Sequence, residues 1–235
     1  GAGEDDDNAA EVMSIANGSG LENLYCKHDG SLDDGFEMVT HPMTLAYHQA
    51  EMPWAAILRK VVQMGYTSHQ AGTCGLHVHV NRTAFGDAES TQDAAIARVL
   101  FFVEKFWDEL LKFSRRTQGQ LNQWAARYGY KDQPKEILDH AKSGRHAGRY
   151  TAVNLTNADT VEFRMFRGTL KCNTLIATLE LLDCIIDAAI YLTDDDLKAM
   201  SWSSFVIGCT QPELMQYLKE RRLYVNEPVE SEAEV

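Results

Sequence analysis

What this 235-residue chain lacks narrows the field first. It has five cysteines (Cys26, Cys74, Cys172, Cys184 and Cys209) but no Cys-x-x-Cys pair. An odd, scattered set fits a reducing cytoplasm better than a disulfide framework or a cysteine-based structural zinc site. Cations are also short, with 22 Lys and Arg against 34 Asp and Glu, a net charge of −12. That balance argues against non-specific nucleic-acid binding, because a phosphate backbone would be repelled overall. No apolar run approaches the length of a transmembrane helix, and no basic-then-apolar leader opens the chain. The expectation is a cytoplasmic protein with no membrane partner. There is no Walker P-loop pattern, no internal repeat and no low-complexity segment.

What is present is an ordinary globular composition, 45% hydrophobic and 24% charged, long enough to bury a sizeable core. Without a clear linker, the chain reads as one α+β domain over residues 1–225, followed by an acidic disordered tail at 226–235. It opens Gly1-Ala2-Gly3-Glu4-Asp5-Asp6-Asp7-Asn8, an acidic run that reads as a solvated loop. A short helix at 9–16 would end at Asn17-Gly18-Ser19-Gly20.

Strands at 24–27 and 36–40, joined through His28-Asp29-Gly30-Ser31 and Asp33-Asp34-Gly35, predict a hairpin. Glu37 lies inside the apolar run of the second strand, so its carboxylate points either to solvent or into a site that needs its charge. Asp29 is either a turn residue bonding its own backbone or, brought close by the hairpin, a partner of Glu37 around a cation. A helix is expected over 45–64, with Pro53 marking a kink or the true start. Another runs from 94 to about 113, with Ser90 and Asp93 as a capping box and Arg115 and Arg116 at the dipole's negative end. A weaker helix is expected at 118–130. Residues 131–148, with Lys135, Lys142, Arg145, His146 and then Arg149, read as a basic loop, either solvated or closing over an anionic ligand. Strands at 150–155 and 160–166 form a second hairpin, and helices follow at 173–192 and from 210 to about 222.

The central stretch is Thr73-Cys74-Gly75-Leu76-His77-Val78-His79-Val80-Asn81. Its alternation is that of a half-buried strand, with His77 and His79 on the face away from Leu76, Val78 and Val80. Two imidazoles on one side suit a metal ion or an anionic phosphate, or are simply exposed. In the later strand Glu162 and Arg164 share a face, either as a surface ion pair or as a ligand and a phosphate clamp. Arg167 has the opposite parity and joins them only if the strand bends or ends.

Asp29-Gly30-Ser31-Leu32 with Glu37, then Gly75-Leu76-His77-Val78-His79, then Thr160-Val161-Glu162-Phe163-Arg164, occur in that order. Together they resemble the carboxylate–amine ligases of the glutamine synthetase and glutamate–cysteine ligase superfamily. They are closest to its amidoligase branch, often encoded by phages and mobile elements. The resemblance covers roughly residues 24–185. It implies a curved antiparallel sheet forming a funnel, with helices on its outer face. It also implies ATP and Mg²⁺ or Mn²⁺ as cofactors, and small-molecule or peptide carboxylate and amine substrates. Asp29 and Glu37 match carboxylates of one metal group, and His77 and Glu162 match ligands of the metal between the β- and γ-phosphates. His79 would face substrate. Arg164 would hold phosphate oxygens, with Arg167 beside it in catalysis and Arg149 on the nucleotide. The superfamily's first strand normally carries a Glu-x-Glu pair, which Glu4 and Asp6 replace poorly, so a missing first strand is expected. Two other readings stand beside this one: a His-x-His metallohydrolase, and a catalytically dead amidoligase-like binding protein. A cupin is disfavoured because residues 82–86 offer no glutamate after the second histidine. Open sheet edges leave room for a homo-oligomer.

Overall fold

A computed structural model of the protein describes residues 2–18, 20–28, 30, 32, 35–143 and 148–224. The chain opens with a helix, α1 (Ala2–Asn17), which contains the short helix expected at 9–16 and extends it back through the acidic run expected as a loop. Asp5, Asp6 and Asp7 lie toward its N-terminal end, where the dipole favours negative charge. Ala9, Val12 and Ala16 form a buried stripe at helical spacing. Asp5 ties this end to the rest of the fold, accepting from the Tyr66 hydroxyl and, at 3.2 Å, from the Gly35 N–H.

The first hairpin is β1 (Leu24–Lys27) with β2 (Glu37–Thr40), antiparallel, Leu24 opposite Thr40 and Lys27 opposite Glu37. The helix expected over 45–64 is two helices, α2 (Leu45–Ala50) and α3 (Trp54–Gln63). Pro53 separates them, since it has no N–H to extend a helix and stands at the N-cap of α3. After β3 (Gly75–Asn81) and a 3₁₀ turn, Arg82–Phe85, comes α4 (Glu89–Lys105). Thr91, not Ser90, closes its start: the Thr91 hydroxyl donates to the Ala88 carbonyl at 2.7 Å and accepts from the Ala88 N–H at 3.2 Å. The chain breaks at Phe106 into α5 (Trp107–Ser114), which Arg115 ends in the left-handed region with φ 61°.

Next is α6 (Gln118–Trp124), shorter than sequence suggests and capped reciprocally by Thr117 and Gln120. The stretch read as a basic loop holds a helix, α7 (Pro134–Lys142), with proline at its first position. Lys135 and Lys142 are taken up there by Asp139 and Asp93, while Arg145 and His146 lie outside the described residues. The second hairpin, β4 (Val153–Asn154) and β5 (Thr160–Arg167), joins β3 in a three-stranded antiparallel sheet of order β3-β5-β4. Four helices complete the chain: α8 (Cys172–Tyr191), α9 (Asp194–Ala199), α10 (Trp202–Gly208) and α11 (Pro212–Glu220). The tail at 226–235 lies outside the described residues. Among the described residues no helix is long and apolar enough to cross a membrane.

Two hydrophobic clusters hold these pieces, and α8 belongs to both. Leu175 and Ile176 sit with Val12, Leu24, Ile57 and Val61, while Ala177, Leu181 and Ile185 sit with the larger cluster of α4, α5 and the sheet. Val161, Phe163, Met165 and Phe166 of β5 are all buried in that larger cluster. A fully buried side chain of this size is worth about 1.5–3 kcal/mol, so this face of the sheet is committed to packing. The other face is left to polar residues. The architecture is thus α+β, with small antiparallel sheets and packed helices.

Candidate functional site

Pairing between β3 and β5 decides which side chains meet on the polar face. His79 lies opposite Glu162, and Asn81 opposite Thr160. The register then slips: Leu76 pairs with Phe166 but Val78 with Phe163, so β5 carries one more residue than β3 around His77. Such a bulge resets the alternation of the longer strand. Phe163 and Phe166 both face the core, and Arg167, opposite Gly75, returns to the polar face with Glu162 and Arg164. The bend that Arg167 requires in the sequence reading is therefore present.

Glu162 is the centre of this face and only 5% exposed. Its Oε2 accepts from the Asn154 amide at 2.8 Å and from Asn157 at 3.4 Å, and its Oε1 from Arg164 Nη1 at 2.5 Å. His77 Nδ1 and His79 Nε2 approach the same Oε1 at 3.5 and 3.7 Å. Burial alone would raise the Glu162 pKa. The Asn154 hydrogen bond, then the Arg164 charge and the two imidazoles, outweigh it and hold the group ionised below its ordinary value. His77 is pushed the other way. Burial, then the Arg164 charge, lower it from 6.5 to about 4, so at neutral pH it is an uncharged imidazole. His79 is more exposed and shares a hydrogen bond with Thr160 Oγ1 at 3.0 Å.

Guanidinium groups crowd the same face. Arg116 reaches in from the end of α5 to the Cys74 carbonyl at 3.4 Å, and its pKa is depressed by burial and by the Arg164 and Arg167 charges. Gly75 makes room for it: a Cβ there would lie 2.7 Å from Arg116 Nη2 and 2.8 Å from His77 Nε2. Arg164 Nε is buried and, among the described residues, has no hydrogen-bond partner. Tyr150 sits under two cations, with Arg149 and Arg164 at 5.2 and 5.7 Å from its ring centre and the Trp124 ring edge-on at 5.6 Å. These groups open onto a cleft of about 910 Å³ that the first hairpin and α3 also line.

The cleft brings together His77, His79, Glu162, Arg164, Arg167 and Arg149 of the sequence-predicted set, and Glu37 also lines it. Glu37 is held there by Lys27 Nζ at 3.1 Å. Asp29 lies outside the described residues. No three His, Cys, Asp or Glu side chains among the described residues are grouped as a metal site; of the two ligand pairs expected from sequence, His77 and Glu162 lie together at 3.5 Å, and the Asp29–Glu37 pair falls partly outside the described residues. The donors present fit a narrower role. Mg²⁺ and Mn²⁺ take one or two carboxylates, keep several waters, and bind largely through substrate phosphates. A neutral His77 and an ionised Glu162, ringed by arginines, suit a cation that arrives with a phosphate ligand.

Sequence reasoning missed Asn154, Asn157, Tyr150 and Arg116 as site residues. Asn154 carried a usable signal, a polar side chain inside an apolar strand, the same signal that singled out Glu37. Arg116 carried none, because a cation at a helix end is already explained by the dipole.

Comparison with known proteins gives a family. The family model described as "Putative amidoligase enzyme" matches residues 19–186, well over half of the chain. No curated protein and no solved structure matches it. The chain belongs to this amidoligase family, and the family name supports a ligase.

Proposed function

We propose that this amidoligase-family member is an ATP-dependent carboxylate–amine ligase that works through an acyl phosphate. The observation that carries the reading is one sheet face, inside one cleft, presenting a neutral imidazole and an ionised carboxylate beside Arg116, Arg164 and Arg167. A free carboxylate resists attack by an amine until one of its oxygens becomes a good leaving group. In the proposed reaction that oxygen attacks the γ-phosphorus of ATP and ADP departs. The amine then attacks the acyl carbon, and phosphate leaves carrying the acid's oxygen. Such transfers need positioning and charge neutralisation rather than a protein nucleophile.

Each residue has a role in this scheme. His77 and Glu162 hold Mg²⁺ or Mn²⁺, which supplies charge neutralisation at the phosphates. Asn154 fixes the Glu162 carboxylate so that its charge stays on the cleft side. Arg164, with its unpartnered Nε, and Arg167 stabilise charge on the phosphoryl oxygens. Arg149 and Tyr150 meet the nucleotide, and His79, the more exposed imidazole, faces the acid or amine. Glu37, which lines the cleft, serves the acyl substrate, a role the family resemblance also gives Asp29. The two small sheets bounding one cleft support a funnel of the glutamine synthetase kind.

The acyl-phosphate route has an isotopic signature. With ¹⁸O-labelled carboxylic acids, ammonia and Mg²⁺–ATP, label should pass into the released phosphate. ADP formation with unlabelled phosphate would exclude the acyl phosphate.

A further inference from the structure

Beyond the cleft, on the other side of Arg116 and Arg167, lies a second pocket of about 480 Å³. Its cations are Lys112, Arg115, Arg116, Arg167 and Arg221, with His69 beside them and Asp108 as the one carboxylate in the lining. Five cations around one concavity are unusual in a chain of net charge −12, where like charges placed together must be offset. Among the described residues, none of the five has a carboxylate within ion-pair distance. Their partners are neutral. Arg221 donates to the Lys112 carbonyl at 2.7 and 3.1 Å, Lys112 Nζ to the Arg222 carbonyl at 3.0 Å, and Arg167 to the Arg115 carbonyl at 3.3 Å. Arg116 donates to the Cys74 carbonyl at 3.4 Å.

His69 adds an independent observation. Its Nε2 lies 3.0 Å from an Arg115 guanidinium nitrogen. Arginine can only donate, so Nε2 must accept, and the ring proton sits on Nδ1. That Nδ1 is buried and has no partner among the described residues. His69 thus lines the pocket with an unsatisfied donor at its back, beside cations that no carboxylate among the described residues answers.

We propose that this pocket binds a phosphate group, separately from the cleft centred on Glu162. Phosphate rather than carboxylate fits because five cations against one Asp leave more positive charge than a monoanion neutralises, and because several guanidinium forks match its oxygens. Arg116 and Arg167 line both cavities, so a phosphate-bearing substrate held here would be fixed beside the reacting end of the cleft. The proposal does not depend on the ligase reading, and its test uses neither metal nor nucleotide.

The test is calorimetric titration of inorganic phosphate into the protein with a chelator present, beside ¹⁵N NMR of the histidines. Wild type should bind, and the His69 Nδ1 signal should move. Lys112→Gln, which removes an exposed side chain while leaving its carbonyl bonds to Arg221, should weaken binding by about tenfold, and Lys112→Gln with Arg221→Gln further still. Lys112 and Arg221 line this pocket and not the cleft. Undiminished binding in the Lys112→Gln, Arg221→Gln double variant would place the phosphate elsewhere and overturn the proposal. Equal affinity for acetate, or no binding at all, would also overturn it.

Discussion

Glu104 and Glu162 are both buried carboxylates paired with an arginine, yet they sit in opposite kinds of surroundings. Glu104, 4% exposed, takes Arg127 Nε on one oxygen and the Tyr128 N–H on the other, each at 2.7 Å, and Arg127 lies over the Trp107 ring at 4.9 Å. It lines neither the cleft nor the basic pocket. Glu162 is as well bonded, but one arginine answers it while two more stand uncompensated nearby, two imidazoles approach the same oxygen, and a cleft opens beside it. The first arrangement is closed. The second has more positive charge than its own carboxylate uses, and a cleft open beside it. Burial and an ion pair therefore do not distinguish a structural carboxylate from a working one; the surplus around it does.

The largest effect expected is at the working carboxylate. Glu162→Gln keeps the Asn154 side satisfied but removes the charge, and His77→Ala removes the neighbouring imidazole. Each should lower metal-dependent ATP turnover by about 100-fold or more, roughly 3 kcal/mol, with the circular dichroism spectrum unchanged. Wild-type turnover in either variant would refute the metal assignment.

Glu104→Gln should do the reverse. It leaves Arg127 without its partner, so stability to urea should fall by about 3 kcal/mol, while Mg²⁺–ATP affinity per folded molecule stays at the wild-type value. A loss of affinity without a loss of stability would erase the distinction between the two carboxylates.

Gly75→Ala is a subtler probe. Its Cβ would press on the flexible end of Arg116 and on the His77 ring, moving groups without deleting any. Mg²⁺–ATP affinity should fall by about tenfold, since a misplacement of about 1 Å is enough to matter, with little change in melting temperature.

The smallest effect is a slope. The unfolded chain protonates His77 near 6.5, whereas the folded chain resists until about 4. Between those values the unfolded state binds more protons, so stability rises with pH there and is lost as pH falls from 6.5 toward 4. The lowered Glu162 pKa acts in the same direction further down, its stabilising contribution being lost as the carboxylate protonates. His77→Gln should flatten the fall in melting temperature between pH 6.5 and 4.5. An unchanged slope would show that His77 is not held neutral.

The polar face was legible in sequence to the extent that alternation is. His77, His79, Glu162 and Arg164 follow from period-2 strands, and both hairpins follow from their turns. Arg167 was legible only on the condition that the strand bends, because a bulge inserts one residue and nothing local to Arg164-Met165 announces it. The N-terminal part of the opening helix was hidden because three aspartates read as solvated chain, while its later part, with the buried stripe of Ala9, Val12 and Ala16, was expected. Helix α7 was masked by its lysines, which proved to be paired at the surface. The basic pocket is a tertiary fact: Lys112, Arg115, Arg167 and Arg221 come from three separate stretches that only the fold brings together.

The central claim is that the sheet face centred on Glu162 receives a metal–nucleotide complex. Calorimetric titration of Mg²⁺–ATP into wild type and Glu162→Gln tests it most directly. The account predicts saturable, metal-dependent binding to wild type and its loss in Glu162→Gln. Equal binding to both, or binding to neither, would contradict it.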